Sequence, residues 1–475
     1  MKQKVLSALK WLAAARLVGQ LISWLLTLIV IRILSPADYG LMAIAMLFIS
    51  FCTLLNEIGL GSALIQIKKL DETIIKKAFG LILLINFILF ILLIVLSPII
   101  ADFFGEQELV AILRTLSIQF IIMSFAVVPE ALLERGLDFK LKSIVFLIAV
   151  VIGGLVTLYL AANDYEVWSL VWGNLTVVTI KSIGLNIIAP RLYLPRLDLS
   201  GMKDLISFGG LVTLQRTLWF FYTQADIFIA GKILGKEFLG FYNVAMHIAT
   251  LPMKKVSGII NQVAFPAFSQ IQADMNNVRF YLLKSVRIMS FFVFPVFWGI
   301  SMVANEIVTV ILTPKWNEAI EPLQIISLVL PLRMISNLMP SVMQGIGRAD
   351  IGVKNLLFAS IVMPPAFYIG SYWGVIGLSL SWLIAFPIVF IGNTRRSITV
   401  LSIRYLDFVK AMLMPAIASA IMCVILIVLR SSTKTMFEDP VRLMLFIPIG
   451  AITYSTVILI INRNLYREVF SLLKK

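Results

Sequence analysis

Apolar residues come in long runs along this chain, separated by short segments rich in lysine, arginine, proline and glycine. A bilayer core takes roughly 20 helical residues to cross, and on that measure the pattern predicts about fourteen spans. They fall at 11–33, 40–64, 78–101, 109–132, 143–163, 167–189, 204–231, 238–264, 285–308, 321–344, 352–371, 374–394, 408–429 and 441–462. The first run follows Lys2, Lys4 and Lys10, the flank of a signal peptide. It continues past Leu34 with no small-residue cleavage site, so a retained span is expected. The predicted class is all-α and polytopic.

The stretch Arg16–Met46 recurs without a gap, since 216 − 16 = 200. Arg16 returns as Arg216, Arg32 as Lys232, Ile33-Leu34 as Ile233-Leu234, Gly40 as Gly240, and Ala45-Met46 as Ala245-Met246. A fixed offset of this size means homologous halves, and two packed halves of a membrane protein usually enclose a pathway. The segment 190–203 carries two prolines and reads as the linker. The expected organisation is a six-helix bundle at 1–197, its pseudo-symmetric repeat at 198–400, and two appended helices with a tail at 401–475. Six spans per half is an even number, so the repeats run parallel.

Charge tests the span count. With the N-terminus inside, the inside loops collect Lys68, Lys69, Lys76, Lys77, Arg135, Lys140, Lys142, Arg191, Arg196 and Lys203. Further along they collect Arg279, Lys284, Arg287, Arg348, Lys354, Arg395, Arg396, Arg404 and Lys410. Outside loops are short and often acidic, as at Asp102, Glu106, Glu108, Asp164 and Glu166. One missed span would reverse every later loop, so the positive-inside bias supports the count and predicts cytoplasmic termini.

Composition agrees: 60% of the 475 residues are hydrophobic and 14% charged, and mean hydropathy is +0.98. Soluble domains rarely exceed half apolar residues. A net charge of +15 would raise nucleic acid as a partner in a soluble protein, but the basic loops explain it here and no nucleic acid is expected. Cys52 and Cys423 lie in apolar runs and read as buried inert thiols with no metal spacing. There is no phosphate loop, nucleophile elbow, HExxH or CxxC pair. The largest outside segment, 309–320, holds only Lys315 and Glu318, so no enzyme and no bound cofactor is expected.

Charges inside the runs carry the functional signal. Arg16, Arg114, Lys181, Arg216, Lys254, Lys255 and Arg333 fall within spans, against the acids Glu57, Glu130 and Asp226. Each cation costs about 2.5–3.5 kcal/mol at mid-bilayer, so it must face water, pair, or reach the interface. Helical spacing sorts polar residues into stripes. Span one has Arg16, Gln20, Ser23 and Thr27; span two has Ser50, Thr53, Glu57 and Gly61; span seven has Thr213, Arg216, Thr223 and Asp226. Span eight has Asn243, His247, Thr250, Lys254, Gly258 and Asn261. These spans open each half, as a shared central cavity requires. Plainer readings stay open. Lys181, Lys254, Lys255, Arg16 and Arg216 are near enough to span ends to snorkel. Arg114 and Arg333 suit structural pairs, Glu130 and Glu134 a surface pair beside Arg135, and His247 a packed core histidine. A cavity with surplus cations selects an anion: a phosphate, a diphosphate or a carboxylated sugar.

Several motifs carry a family likeness: RILSPADYGLMAIA at 32–45, NEIGLGSALIQ at 56–66, LLERGLDFK at 132–140, QADIFIAGKILGKEFLGFYNVA at 224–245 and LPMKKVSGIINQVAFPAFSQIQ at 251–272. In that order they resemble the polysaccharide transport family of the multidrug/oligosaccharidyl-lipid/polysaccharide exporter superfamily, in its Wzx-type branch of colanic acid and lipopolysaccharide exporters. The resemblance implies a flippase of the bacterial inner membrane. Such a protein moves undecaprenyl-diphosphate-linked oligosaccharide outward by alternating access, driven by an ion gradient (proton or sodium) or the membrane potential. Membrane lipid, and the polymerase and export machinery, are the implied partners. On the stripes, Arg16 and Arg216 are the expected diphosphate ligands, with Lys254, Arg114, Arg333 and Lys181 completing a cationic lining. Asp226 and Glu57 are expected to bind the coupling ion or pair with the arginines. Gln20, Ser23, Thr27, Asn243, His247 and Asn261 are expected to meet sugar. Cation-coupled efflux of small molecules on the same fold is the alternative.

Overall fold

The computed structural model describes the backbone of residues 19, 22–56, 71–136, 138–189, 193–198, 203–433 and 437–473. The side chains at 139, 203–216, 254–263, 470 and 472–473 lie outside the described set. Among the described residues every regular element is helical. In order they are α1 (Ile22–Ile33), α2 (Pro36–Asn56), α3 (Glu72–Phe104), α4 (Glu108–Arg135), α5 (Phe139–Ala162) and α6 (Glu166–Ile188). The stretch Lys203–Gln270 is broken at Gly235 into α7 (203–234) and α8 (236–270). Then come α9 (Met275–Met302), α10 (Ala304–Ile311), a 3-10 turn (Pro314–Ala319), α11 (Ile320–Ser336), α12 (Leu338–Gly345), α13 (Ala349–Ser371), α14 (Gly374–Val400), α15 (Tyr405–Thr433), α16 (Asp439–Ile461) and α17 (Arg463–Leu473).

Eleven described segments are long and apolar enough to cross a membrane, and each coincides with an expected span. The three expected spans beyond them, at 11–33, 204–231 and 238–264, meet α1, α7 and α8 and include residues outside the described set. This is a multi-pass membrane protein, and its helices are compatible with fourteen crossings. Its surface is inverted relative to a soluble protein. On α3, Val95 is 60% and Ile99 62% exposed, while Asn86 and Ser97 are fully buried. Such an apolar exterior suits hydrocarbon.

Residues 1–240 and 241–475 form two compact units. In the first, the turn into α2 is a capping box. The Ser35 hydroxyl and backbone N–H donate to Asp38 Oδ2 at 2.6 and 2.8 Å, and the Asp38 N–H donates back to Ser35 Oγ at 3.3 Å. Pro36 occupies the first helical position, where its missing N–H costs nothing. Two hundred positions on, the corner is made differently: Gly235 sits at φ 81°, ψ 177°, a region open essentially to glycine alone.

The repeated glycines meet each other's neighbourhoods. A Cβ on Gly40 would lie 1.7 Å from the carbonyl oxygen of Lys236, and one on Gly240 1.8 Å from that of Pro36. Since 236 − 36 = 240 − 40 = 200, the contact is reciprocal: each glycine lies on the counterpart of the other's partner. Beside it, α7 docks on the turn after α3. Lys232 donates to the Phe103 carbonyl and stands 4.6 Å over the Phe103 ring. Lys236 pairs with Glu106 at 2.9 Å, and Phe228 stacks on Phe103 at 5.6 Å.

In the second unit, α9 packs against α11 and α15, α13 against α14, and α15 against α16. α17 is amphipathic. Its Leu465 and Val469 join a cluster with Phe291, Met422, Tyr454 and Ile458, while Glu468 accepts from Arg287 at 2.6 Å and pairs with Lys284 at 3.2 Å. Tyr454 closes this cluster with a 2.7 Å hydrogen bond to the Phe291 carbonyl.

Candidate functional site

The best-defined polar constellation lies in the second unit and is centred on Arg333. Pro331, two residues earlier in α11, removes one helical N–H, a loss membrane helices tolerate. The half-buried Arg333 side chain lies over the Trp382 ring of α14, its guanidinium carbon 3.8 Å from the ring centroid. Its Nη1 reaches Met246 Sδ of α8 at 3.7 Å. No described carboxylate pairs with it.

Trp382 is itself immobilised. It is 1% exposed, and its Nε1–H donates to the hydroxyl of fully buried Tyr242 at 2.8 Å. Phe367 packs on it at 4.9 Å and Phe386 at 6.0 Å. The Phe367 contact depends on a close crossing of α13 and α14. A Cβ on Gly370 would lie 2.5 Å from the Gly377 carbonyl oxygen, and one on Gly377 2.2 Å from that of Gly370.

Of the residues singled out from the sequence, Arg16, Gln20 and Glu57 lie outside the described residues, as do the side chains of Arg216, Lys254, Lys255 and Asn261. Ser23 and Thr27 are half-buried on α1, and Asn243 and His247 half-buried on α8. Asp226 is 4% exposed, and its Oδ1 accepts the N–H of Ile227 at 2.9 Å. Arg114 is on an exposed face of α4, its Nε donating to Ser97 Oγ at 3.1 Å. It is six residues into the helix, about 9 Å at 1.5 Å per residue, within reach of that membrane face. Thr53 and Thr223 turn their hydroxyls back to the carbonyls of Ile49 and Trp219 at 2.8 and 3.0 Å.

Lys181 is neutralised. It pairs with Glu130 at 2.9 Å, and Lys142 pairs with Glu130 at 2.8 Å and with Glu134. The expected surface pair at Glu130 and Glu134 is therefore a four-residue network reaching α5 and α6. The charge surplus thus concentrates on fewer positions than counting residues suggested.

Three groups escaped the sequence reading. Asn86 donates to Asn56 Oδ1 at 2.6 Å in the interior of the first unit. Glu306, fully buried in α10, pairs with Arg430 at 3.2 Å and lies 4.0 Å from Arg442. The Trp382–Tyr242 support under Arg333 is the third. The signal that could have found Glu306 is an acid near the end of an apolar run. Trp382 carries no such mark, because aromatic residues are common throughout these spans.

The family described as polysaccharide biosynthesis protein matches residues 29–321, or 321 − 29 + 1 = 293 of the 475. The chain belongs to that family. It is 25% identical to the lipopolysaccharide biosynthesis protein WzxC of Escherichia coli strain K12, over 81% of this chain and 80% of that one. With the teichuronic acid biosynthesis protein TuaB of Bacillus subtilis strain 168 it shares 27% identity, over 85% and 84%. Among solved structures, the lipid II flippase MurJ in an inward closed conformation superposes with a TM-score of 0.75 at 16% identity, covering 96% of this chain and 99% of that one. An inward-facing multidrug resistance transporter of the MATE family follows at 0.64, with 17% identity, 83% and 99%. The fold is therefore that of the MurJ and MATE transporters.

Proposed function

We propose that this protein is a flippase. It moves undecaprenyl-diphosphate-linked oligosaccharide, a repeat unit of a surface polysaccharide, from the cytoplasmic to the outer leaflet of a bacterial inner membrane. Family membership and a MurJ-like fold over nearly the whole chain support the reaction class. The observation that carries the substrate chemistry is Arg333: an intramembrane guanidinium held over an indole face, with no carboxylate and only the weak acceptor Met246 Sδ on it among the described residues. Such a group is costly in hydrocarbon and suits a phosphate or carboxylate that accepts two parallel hydrogen bonds.

In this reading the two six-helix repeats, 1–197 and 198–400, rock about the site, with 401–475 appended and both termini cytoplasmic. Arg16 and Arg216 hold the diphosphate, Arg333 adds an oxyanion contact, and Lys254 completes the lining. Asp226 and Glu57 bind a coupling proton or sodium ion. Gln20, Ser23, Thr27, Asn243, His247 and Asn261 meet sugar. The protein carries out transport rather than catalysis and works beside a polymerase.

The test is export in cells depleted of the protein, with lipid-linked oligosaccharide assayed in each leaflet, followed by flipping in proteoliposomes. Accumulation on the inner leaflet, relieved by the wild type and not by Arg216→Ala, is the expected result. Wild-type surface polysaccharide in a deletion strain, with drug resistance on overexpression, would displace it in favour of small-molecule efflux. Export at normal levels by Arg216→Ala would remove the diphosphate assignment.

A further inference from the structure

Arg333 has an unusual anchor for a cation within a span. Arginine in a span is ordinarily held by a carboxylate, which neutralises its charge and occupies its N–H fork. Here the holding group is an aromatic face. An aromatic face accepts none of the five guanidinium N–H donors in the way a carboxylate does, and among the described residues only Met246 Sδ, a weak acceptor at 3.7 Å, takes one of them. The indole supplies electrostatic stabilisation through its quadrupole without cancelling the formal charge.

The indole in turn is held at its N–H and across its face. Its N–H is fixed on the Tyr242 hydroxyl at 2.8 Å, and Phe367 packs on it at 4.9 Å. Tyr242 and Met246 lie four residues apart on α8, so one turn of that helix fixes both the indole and the guanidinium.

We infer that Trp382, locked by Tyr242, is a positioning residue that presents Arg333 as an open oxyanion receptor and so sets the anion selectivity of transport. The inference rests on the flippase reading and deepens it. The ligand chemistry is an oxyanion accepting two hydrogen bonds in the guanidinium plane, from either the lipid diphosphate or an acidic sugar of the glycan. Trp382, at 1% exposure, does not itself meet substrate; it acts only through Arg333.

The experiment is a double-mutant cycle on the purified full-length protein in detergent, with farnesyl diphosphate and glucuronate as separate probes in calorimetric titrations. Trp382→Leu is expected to weaken binding of the relevant anion about tenfold, the size of a desolvated cation–π contact. Arg333→Leu weakens it at least as much, and the double variant binds no more weakly than Arg333→Leu alone, because the tryptophan has nothing left to position. Trp382→Phe, which keeps an aromatic face, loses about threefold. If Trp382→Leu does not fold, the same cycle run with Trp382→Phe carries the test.

Multiplying losses in the double variant would make Trp382 a packing residue only and overturn the inference. Unchanged affinity for both probes in Arg333→Leu would overturn the receptor itself. Loss confined to farnesyl diphosphate assigns the subsite to the lipid headgroup, and loss confined to glucuronate assigns it to the glycan. Flipping of lipid-linked oligosaccharide in proteoliposomes is measured independently, so an active flippase whose Arg333→Leu variant binds normally loses this site while keeping its function.

Discussion

Replacing Gly240 by alanine puts a methyl group where the backbone leaves no room. The new Cβ would lie 1.8 Å from the Pro36 oxygen, 2.6 Å from its carbonyl carbon and 3.0 Å from its Cα. Ordinary contact begins at 3.4 Å, so the crossing must open by 3.4 − 1.8 = 1.6 Å. No side chain can rotate away, because all three atoms are backbone. Gly40→Ala meets the same obstacle at Lys236, where 3.4 − 1.7 = 1.7 Å is needed. Overpacking costs about 1–3 kcal/mol where side chains adjust, and a rigid backbone contact belongs at the top of that range. A loss of 2–3 kcal/mol lowers the melting temperature of a unit this size by roughly 5–10 °C. Thermal denaturation of the purified protein in detergent measures this. Gly299→Ala is the control: nothing lies within 4 Å of its Cβ, and alanine is the better helix former by up to about 1 kcal/mol. Melting of Gly240→Ala within a degree of wild type, alongside a neutral Gly299→Ala, would refute the contact.

Arg333→Ala is expected to cut export about 10–100-fold, the value of a charge-assisted hydrogen bond, with membrane level and melting temperature unchanged; quantified surface polysaccharide checks it. Arg430→Ala removes the nearer counter-ion of the buried Glu306 carboxylate, leaving Arg442 at 4.0 Å, and is expected to destabilise by about 2 kcal/mol, read as a fall in melting temperature, whereas Glu306→Gln costs less. Lys236 lies at the turn between α7 and α8, where the hydrogen bond to Glu106 raises its pKa above the ordinary 10.5. Because the folded value is the higher, this contribution is fully present at neutral pH and is lost as pH climbs beyond 10.5 through the raised value. Glu106→Gln should therefore flatten the alkaline limb of a pH–stability profile. Glu130→Gln should cost under about 1 kcal/mol, since its lysine partners are partly solvated.

The spans were legible because hydrocarbon imposes a run length that short polar turns interrupt, and every segment found long enough to cross lies where a run was read. The 200-residue offset was legible at Gly40 and Gly240, but their purpose was not, since the clash belongs to a partner backbone 200 positions away. Arg333 was legible as a charge in the wrong solvent. Its support was not, because Trp382 comes from α14, and no periodicity links the two positions. Lys181 looked like surplus charge until folding brought Glu130 from α4 beside it. The Glu306 cluster was hidden for a similar reason: its arginines come from α15 and α16, and Arg430 sits at the end of a run, where basic residues are routine.

That cluster reaches into how the protein holds α15 and α16. Glu306 is shut away from solvent, and the guanidinium groups beside it belong to helices beyond residue 400. A chain ending there would strip Glu306 of both counter-ions and uncover it on an apolar flank, and losing such a partner costs about 3–5 kcal/mol where the carboxylate stays buried. Helices α15 and α16 are thus a counter-ion as much as a wall, and removing them would lower the stability of what remained.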